Sequence, residues 1–233
     1  MFTLSDTMLL AYTPQFSVVF NNIGFFVQGL LLTLQITVVS ILLGLILGIV
    51  GALGRTSDNR FFNAIAIAYV EFFRNTPFLI QLFFFYFGLP SIGLKMAPWQ
   101  AAILALAINF GAYSTEIIRA GIEGISPGQI EAGMALGLKK MKIFRHVILM
   151  PALGKIYPSL VGQVVIAVLF SSVVSQISVE DLAFVGNYLQ SRTFRSFEIY
   201  FAVSVIYVGL VWSIKAAAFL IQKRFFSFTQ YIK

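Results

Sequence analysis

The chain has 233 residues, 59% of them hydrophobic and only 11% charged, with a net charge of +7 and no cysteine. So little charge excludes an ordinary soluble domain, in which about a quarter of the residues are charged, and the lack of Cys excludes disulfides and thiolate metal sites. The basic excess is read as the bias of loops on one side of a membrane, with lipid as the surrounding partner and no nucleic-acid partner.

In chain order, Met1 to Asn22 carries no Lys or Arg. A secretory signal needs a basic stretch before its apolar core, so residues 1–23 are expected to be an external N-terminal segment and the first span to remain in the mature protein. Five apolar stretches follow, at 24–53, 62–88, 98–118, 157–177 and 199–222. Each is long enough to cross the hydrocarbon core of a bilayer. The first carries Gly44, Gly48 and Gly51. Their spacing lets another helix approach closely, although membrane helices are rich in Gly for other reasons too.

The second stretch holds Glu71 and Arg74, three apart on one helical face. An ion pair within the helix is expected, because it lowers the cost of burying both charges. Asn75-Thr76-Pro77 comes next. Proline removes a backbone donor and breaks the helix at mid-span. Such breaks mark transport sites in some proteins and are plain kinks in others. The third stretch carries Asn109, Ser114 and Glu116, and Glu116 is expected to pair with Arg119. The fourth carries Gln163, Ser171, Ser172, Ser175 and Gln176. Helical spacing would put Ser172, Ser175 and Gln176 on one face. A serine alone can bond its own helix backbone, but amides in hydrocarbon need partners, and a water-lined cavity supplies them.

Basic residues divide unequally between the two sets of loops. Eleven (Arg55, Arg60, Arg119, Lys139, Lys140, Lys142, Arg145, Lys155, Lys223, Arg224, Lys233) fall on one side and three (Lys95, Arg192, Arg195) on the other. The positive-inside rule then puts the N-terminus outside and the C-terminus inside. The expected architecture is an all-α membrane protein. Five transmembrane helices occupy 24–224, a loop at 123–151 faces the cytoplasm, and 225–233 form a cytoplasmic tail.

That loop is ordered like a helix. Ser126 can cap it, Pro127 takes the first position and Gln129 completes a capping box. Small residues follow (Ala132, Gly133, Ala135, Gly137), then a basic cluster at Lys139, Lys140, Lys142 and Arg145. A short, small-faced helix on the cytoplasmic side suits a partner's grip. The chain has no phosphate-cradling G-x-x-x-x-G-K-[ST] loop. Its one histidine, His146, sits in the basic loop. No catalytic or metal site is expected. The competing readings are an ion-coupled secondary carrier and a subunit of a membrane-embedded enzyme.

Glu131-Ala132-Gly133, then Gly137, then Val147 to Pro151 resemble the EAA loop of ABC importer permeases. The runs Phe73-Arg74-Asn75-Thr76-Pro77-Phe78-Leu79-Ile80-Gln81-Leu82 and Gly111-Ala112-Tyr113-Ser114-Thr115-Glu116-Ile117-Ile118-Arg119-Ala120-Gly121-Ile122 resemble the polar amino-acid subfamily. The likeness covers residues 24–224. Gly133 stands where the family usually has Ala, and Pro151 comes one residue late.

The resemblance implies a permease subunit of a bacterial cytoplasmic (inner) membrane importer that moves a polar amino acid by alternating access. Glu131, Ala132, Gly133, Ala135, Gly137 and Leu138 would form the coupling helix that docks into a separate ATPase subunit, and that subunit would hold ATP and Mg. A second permease, identical or paralogous, and a substrate-binding protein would complete the assembly. The cost of polar groups in lipid points to a substrate path lined by Arg74, Thr76, Gln81, Glu116, Gln163, Ser171 and Ser172. The family commonly carries a Lys-Asp pair where Leu169 and Phe170 stand here. A neutral polar or zwitterionic substrate is therefore expected.

Overall fold

A computed structural model describes residues 13–226. The expected N-terminal segment and C-terminal tail lie largely outside these residues. All regular structure among them is helical. Among the described residues, four helices are long and apolar enough to cross a membrane. After the short α1 (Ser17–Asn21), they are α2 (Ile23–Arg55), α5 (Pro98–Glu123), the composite Ile143–Ile177, and α10 (Ser196–Phe225). A fifth crossing is made of two pieces, α3 (Arg60–Arg74) and the apolar run that begins with α4 (Phe78–Phe83) and continues as a π turn and a 3-10 turn to Ile92. Outward-facing Leu, Ile, Val and Phe side chains are abundant, as a lipid environment allows.

α2 and α5 form the most extensive helix pair, and the α2 glycines explain why. A Cβ on Gly48 would sit 2.7 Å from Ser114 Cβ, and one on Gly44 would sit 2.8 Å from the Ala107 carbonyl. No side chain fits there, so the helices touch through backbone. From α5, Gly111 returns the fit against Leu47. Of the two meanings of the glycines, close approach is the one realised.

The fourth crossing starts earlier than its hydropathy suggested. A three-residue turn, α7 (Lys140–Lys142), leads through a π segment (Ile143–Leu149) into α8 (Met150–Phe170), and the chain then tightens into a 3-10 segment at Ser171–Ile177. The tighter winding keeps Ser172 and Ser175 on one face, because residues three apart eclipse in a 3-10 turn, but turns Gln176 away from it.

One helix, α9 (Leu182–Thr193), was read from sequence as loop. Asp181 caps it, accepting from Phe184 N–H at 2.9 Å. Leu182, Val185 and Leu189 bury one stripe against Phe26, Ile199 and Val203. Gly29 of α2 makes room, with Val185 Cγ2 only 2.8 Å from where its Cβ would stand. Thr33 Oγ1 accepts from Leu182 N–H, and Tyr207 O–H donates to Asp181 Oδ2. The helix therefore ties α2 to α10 at the end of the bundle opposite α6 (Pro127–Ala135).

Candidate functional site

The break between α3 and α4 is built by side chains that replace lost backbone bonds. Pro77 is extended (ψ 136) and opens α4. The carbonyls of the last α3 turn each gain a side-chain donor. Asn75 Nδ2 reaches Glu71 O at 2.8 Å, and Thr76 Oγ1 reaches Phe72 O at 2.9 Å. Gln81 Nε2 reaches Phe73 O at 2.8 Å and Thr76 O at 3.0 Å. Tyr113 O–H lies 3.4 Å from Arg74 O. In hydrocarbon these carbonyls would otherwise be costly, so the break is a supported structure. Beyond it, Phe78 stacks on Phe170 with centroids 5.1 Å apart. That aromatic pair occupies the level where the resemblance led one to look for charge.

The expected Glu71–Arg74 ion pair is not formed. Glu71 Oε2 accepts from Asn75 Nδ2 instead, and the Arg74 guanidinium lies 5.3 Å over the Tyr113 ring. The proline break explains this. It turns Asn75 back onto Glu71, and a ring is available to the cation on the neighbouring helix.

Glu116 is held from two sides. Arg119 Nη2 lies 2.7 Å from Oε2, and Arg55 Nε of α2 lies 3.0 Å from Oε1. Arg119 also pairs with Glu123. Glu116 and Arg119 border an open cavity of about 440 Å³ between α3, α5 and α8, whose wall also holds Arg74, Tyr113, Lys155 and Ser159. Lys155 Nζ donates to Gly124 O at 2.8 Å.

The path residues read from sequence thus separate into groups. Arg74 and Glu116 share this cavity. Gln81 is buried with its amide spent on the break and on Asn109, and Thr76 Oγ1 accepts from it. Ser171 and Ser172 donate to the carbonyls three residues back, Val168 O and Leu169 O, both at 2.7 Å. Gln163 is 5% exposed, and no hydrogen bond to its amide is found among the described residues. It stands one turn along α8 from Ser159 but is not among the residues that line the cavity. Sequence reading passed over Tyr113, Lys155 and Ser159. Their only signal was helical spacing from Glu116 and Gln163.

At the other candidate surface, Ser126 is extended and Pro127 opens α6 as expected, but the Ser126 side chain makes no capping bond. The small residues are not one face. Gly133 is buried, and a Cβ there would meet Ile143 at 3.3 Å. Gly137 lies beyond the helix with φ +69. Its N–H reaches Met134 O, and Leu138 N–H reaches Gly133 O, at 2.9 and 3.1 Å, closing the helix in a glycine C-cap. Glu131, Ala132, Ala135 and Leu138 are exposed. A groove of about 370 Å³ runs between α6 and the π segment, lined by Gln129, Ala132, Leu136, Leu138, His146 and Pro151. Met134 and Leu136 are largely exposed beside it. Among the described residues, no group of His, Cys, Asp or Glu could hold a metal.

Known proteins share this arrangement. The family described as "Binding-protein-dependent transport system inner membrane component" matches residues 40–227. The chain is 35% identical over 206 residues to a putative glutamine transport system permease protein GlnP of Rickettsia felis, covering 88% of this chain and 94% of that one. It is 39% identical over 197 residues to the arginine transport system permease protein ArtQ of Bacillus subtilis, covering 84% and 90%. Among solved structures, a crystal structure of an amino acid ABC transporter with histidines superposes with a TM-score of 0.84 at 34% identity, over 91% of this chain and all of that one. An inward-facing MetNI methionine ABC transporter gives 0.71 at 27% identity, over 86% and 96%. With that family match over most of its length and relatives at 35% and 39% identity, the chain belongs to the inner-membrane component family of binding-protein-dependent transport systems.

Proposed function

We infer that the chain is the permease subunit of an ATP-driven importer for a polar amino acid, and that it supplies path and lever while a separate ATPase holds ATP and Mg. The observation that carries this is the exposed α6 surface together with the polar cavity. A helix capped by Gly137, flanked by exposed Met134 and Leu136, offers an apolar surface outside the spans. Glu131, Ala132, Ala135 and Leu138 face outward on it, while Gly133 and Gly137 set its shape.

The basic bias puts α6 and the C-terminus in the cytoplasm and the N-terminus and α9 outside. The cavity then lies in the inner half of the bundle, below the Phe78–Phe170 stack. Alternating access would need that stack to part when the ATPase closes. A second permease, identical or paralogous, would supply the other wall of the path, and a substrate-binding protein would deliver solute near α9. The names of the relatives support amino acids as the cargo class.

Co-expression with the partner ATPase tests the reading. Affinity purification through this chain should recover the ATPase. Glu131→Lys should lower that recovery about tenfold while the permease stays in the membrane, because a misplaced charge at an interface is costly. Recovery unaffected by Glu131→Lys, together with normal transport, would remove α6 from the docking role.

A further inference from the structure

The crossings stand in a row. α3 packs against α5, α5 against α8, and α8 against α10. α3 also touches α2, and α10 also touches α9 and α1, but α3 and α10 have no extensive contact with each other. The row therefore has two open edges. The α10 edge is nearly bare: 6% of its apolar stretch is buried within the chain, against 61% for α5. Each edge carries an exposed charge inside a span. Glu71 on α3 has the neutral Asn75 amide as its side-chain partner, at 2.9 Å. Arg74, one turn on, is drawn to the Tyr113 ring of α5. Lys215 on α10 makes no ion pair among the described residues. The two stand at similar levels. Measured from the end of the bundle that carries α6, Glu71 lies about 16 Å along α3 and Lys215 about 15 Å along α10. A charge inside a span is costly in lipid and calls for a partner. Lysine escapes part of that cost along its long stem; the shorter glutamate cannot reach as far.

We propose that a second copy of this chain closes both edges, with Glu71 on α3 of each protomer paired to Lys215 on α10 of the other. The proposal rests on the importer reading, which needs a second permease, and commits that permease to be the same chain. A two-fold interface is self-complementary: the patch that meets a second patch is met by it in turn. This chain carries both halves of the ion pair, one on each edge, as such an interface requires. Helical side chains lean toward the N-terminus of their own helix. α3 and α10 run in opposite senses through the bundle, so in the dimer Glu71 and Lys215 lean toward each other's side of the membrane. Joining the edges turns two open rows into one closed ring of spans. It also gives each charge an opposite partner away from lipid.

The test is co-purification of two differently tagged copies of the full chain, co-expressed with the ATPase. Wild-type copies should recover each other. Glu71→Lys in both copies, or Lys215→Glu in both, sets like charges against each other at both contacts and should lower that recovery about tenfold. One copy with Glu71→Lys and the other with Lys215→Glu restores opposite charges at both contacts. That mixed pair should recover at the wild-type level, which a variant that merely folds badly cannot do. It also reads the pairing where either variant fails to assemble with itself. Single variants that self-associate like wild type, or a mixed pair no better than either alone, overturn the proposed contact. Wild-type copies that never recover each other, while each brings down the ATPase, overturn the homodimer and leave the importer reading intact. A chain that recovers no ATPase removes that reading as well.

Discussion

Asn109 Nδ2 donates to Gln81 Oε1 at 3.0 Å, across the third crossing to the broken second one. Through this single bond α5 holds the residue that holds the break, because the other end of the Gln81 amide serves Phe73 O, Thr76 O and Thr76 Oγ1. Gln81→Leu strips these acceptors of their donor and leaves the Asn109 amide unpaired. Each buried group left so costs about 1–3 kcal/mol. Thermal unfolding in nanodiscs should show a loss of about 3 kcal/mol or more. Gln81→Glu keeps the acceptor for Asn109 but loses the donor, and should fall between. A Gln81→Leu protein as stable as wild type would mean that the break needs no such support.

The α2–α5 contact predicts a compensating pair. Gly48→Ala places a methyl 2.7 Å from Ser114 Cβ. Overpacking of this kind costs about 1–3 kcal/mol. Ser114→Gly opens the matching space, so the double variant should regain most of that loss in the same thermal assay. Simple additivity of the two changes would place the strain elsewhere.

At the α6 cap, Gly137 has φ +69 and open space around it. Its role is backbone conformation, not room for a partner. Gly137→Ala should cost about 1 kcal/mol, and Gly137→Asn, which tolerates the left-handed region, clearly less. Both should weaken ATPase recovery in that same order, because the cap sets where Leu136 and Leu138 stand. Equal recovery with Ala and Asn would show that side-chain volume, not φ, matters there.

The α9 cap predicts a pH dependence. Burial pushes the Asp181 carboxyl up to about 6, against the smaller opposing pull of the Phe184 and Ala183 N–H groups and the Tyr207 hydroxyl. The unfolded value is near 3.8. The folded state thus takes the proton more readily. Stability is fully present below about 4 and declines as pH rises through about 6, by on the order of 2–3 kcal/mol for this one group. Asp181→Asn, which still accepts from Phe184, should flatten the change between pH 4.5 and 7. Wild type growing steadily more stable across that range, with Asp181→Asn following it, would contradict this.

Much of the bundle was legible because its signals are local. Long apolar runs mark the spans, and Pro77 marks the break. What escaped depended on neighbours in space. Glu71 and Arg74 have ideal spacing for a pair, yet the break brings Asn75 to one and Tyr113 to the other. The face expected for Ser172, Ser175 and Gln176 is kept only in part, because the chain winds into a 3-10 segment there, which aligns Ser172 with Ser175 and turns Gln176 away. α9 was missed because it is short and partly polar, although Asp181 followed by Leu182, Val185, Gly186 and Leu189 is a cap followed by a stripe. Gly133 and Gly137 looked alike in sequence. One is packed against Ile143 and the other turns the chain. Glu116–Arg119 was readable at a spacing of three, but Arg55, 61 residues away, was not.

The central claim is that this chain forms the path of an ATP-driven amino-acid importer, and uptake measures it most directly. The permease, its ATPase and a substrate-binding protein are reconstituted in proteoliposomes, and entry of a panel of labelled polar amino acids is followed with and without ATP. The account predicts accumulation of at least one of them against its gradient that requires both ATP and the binding protein and is lost with Glu131→Lys. Uptake that ignores ATP but follows a proton or sodium gradient would contradict it.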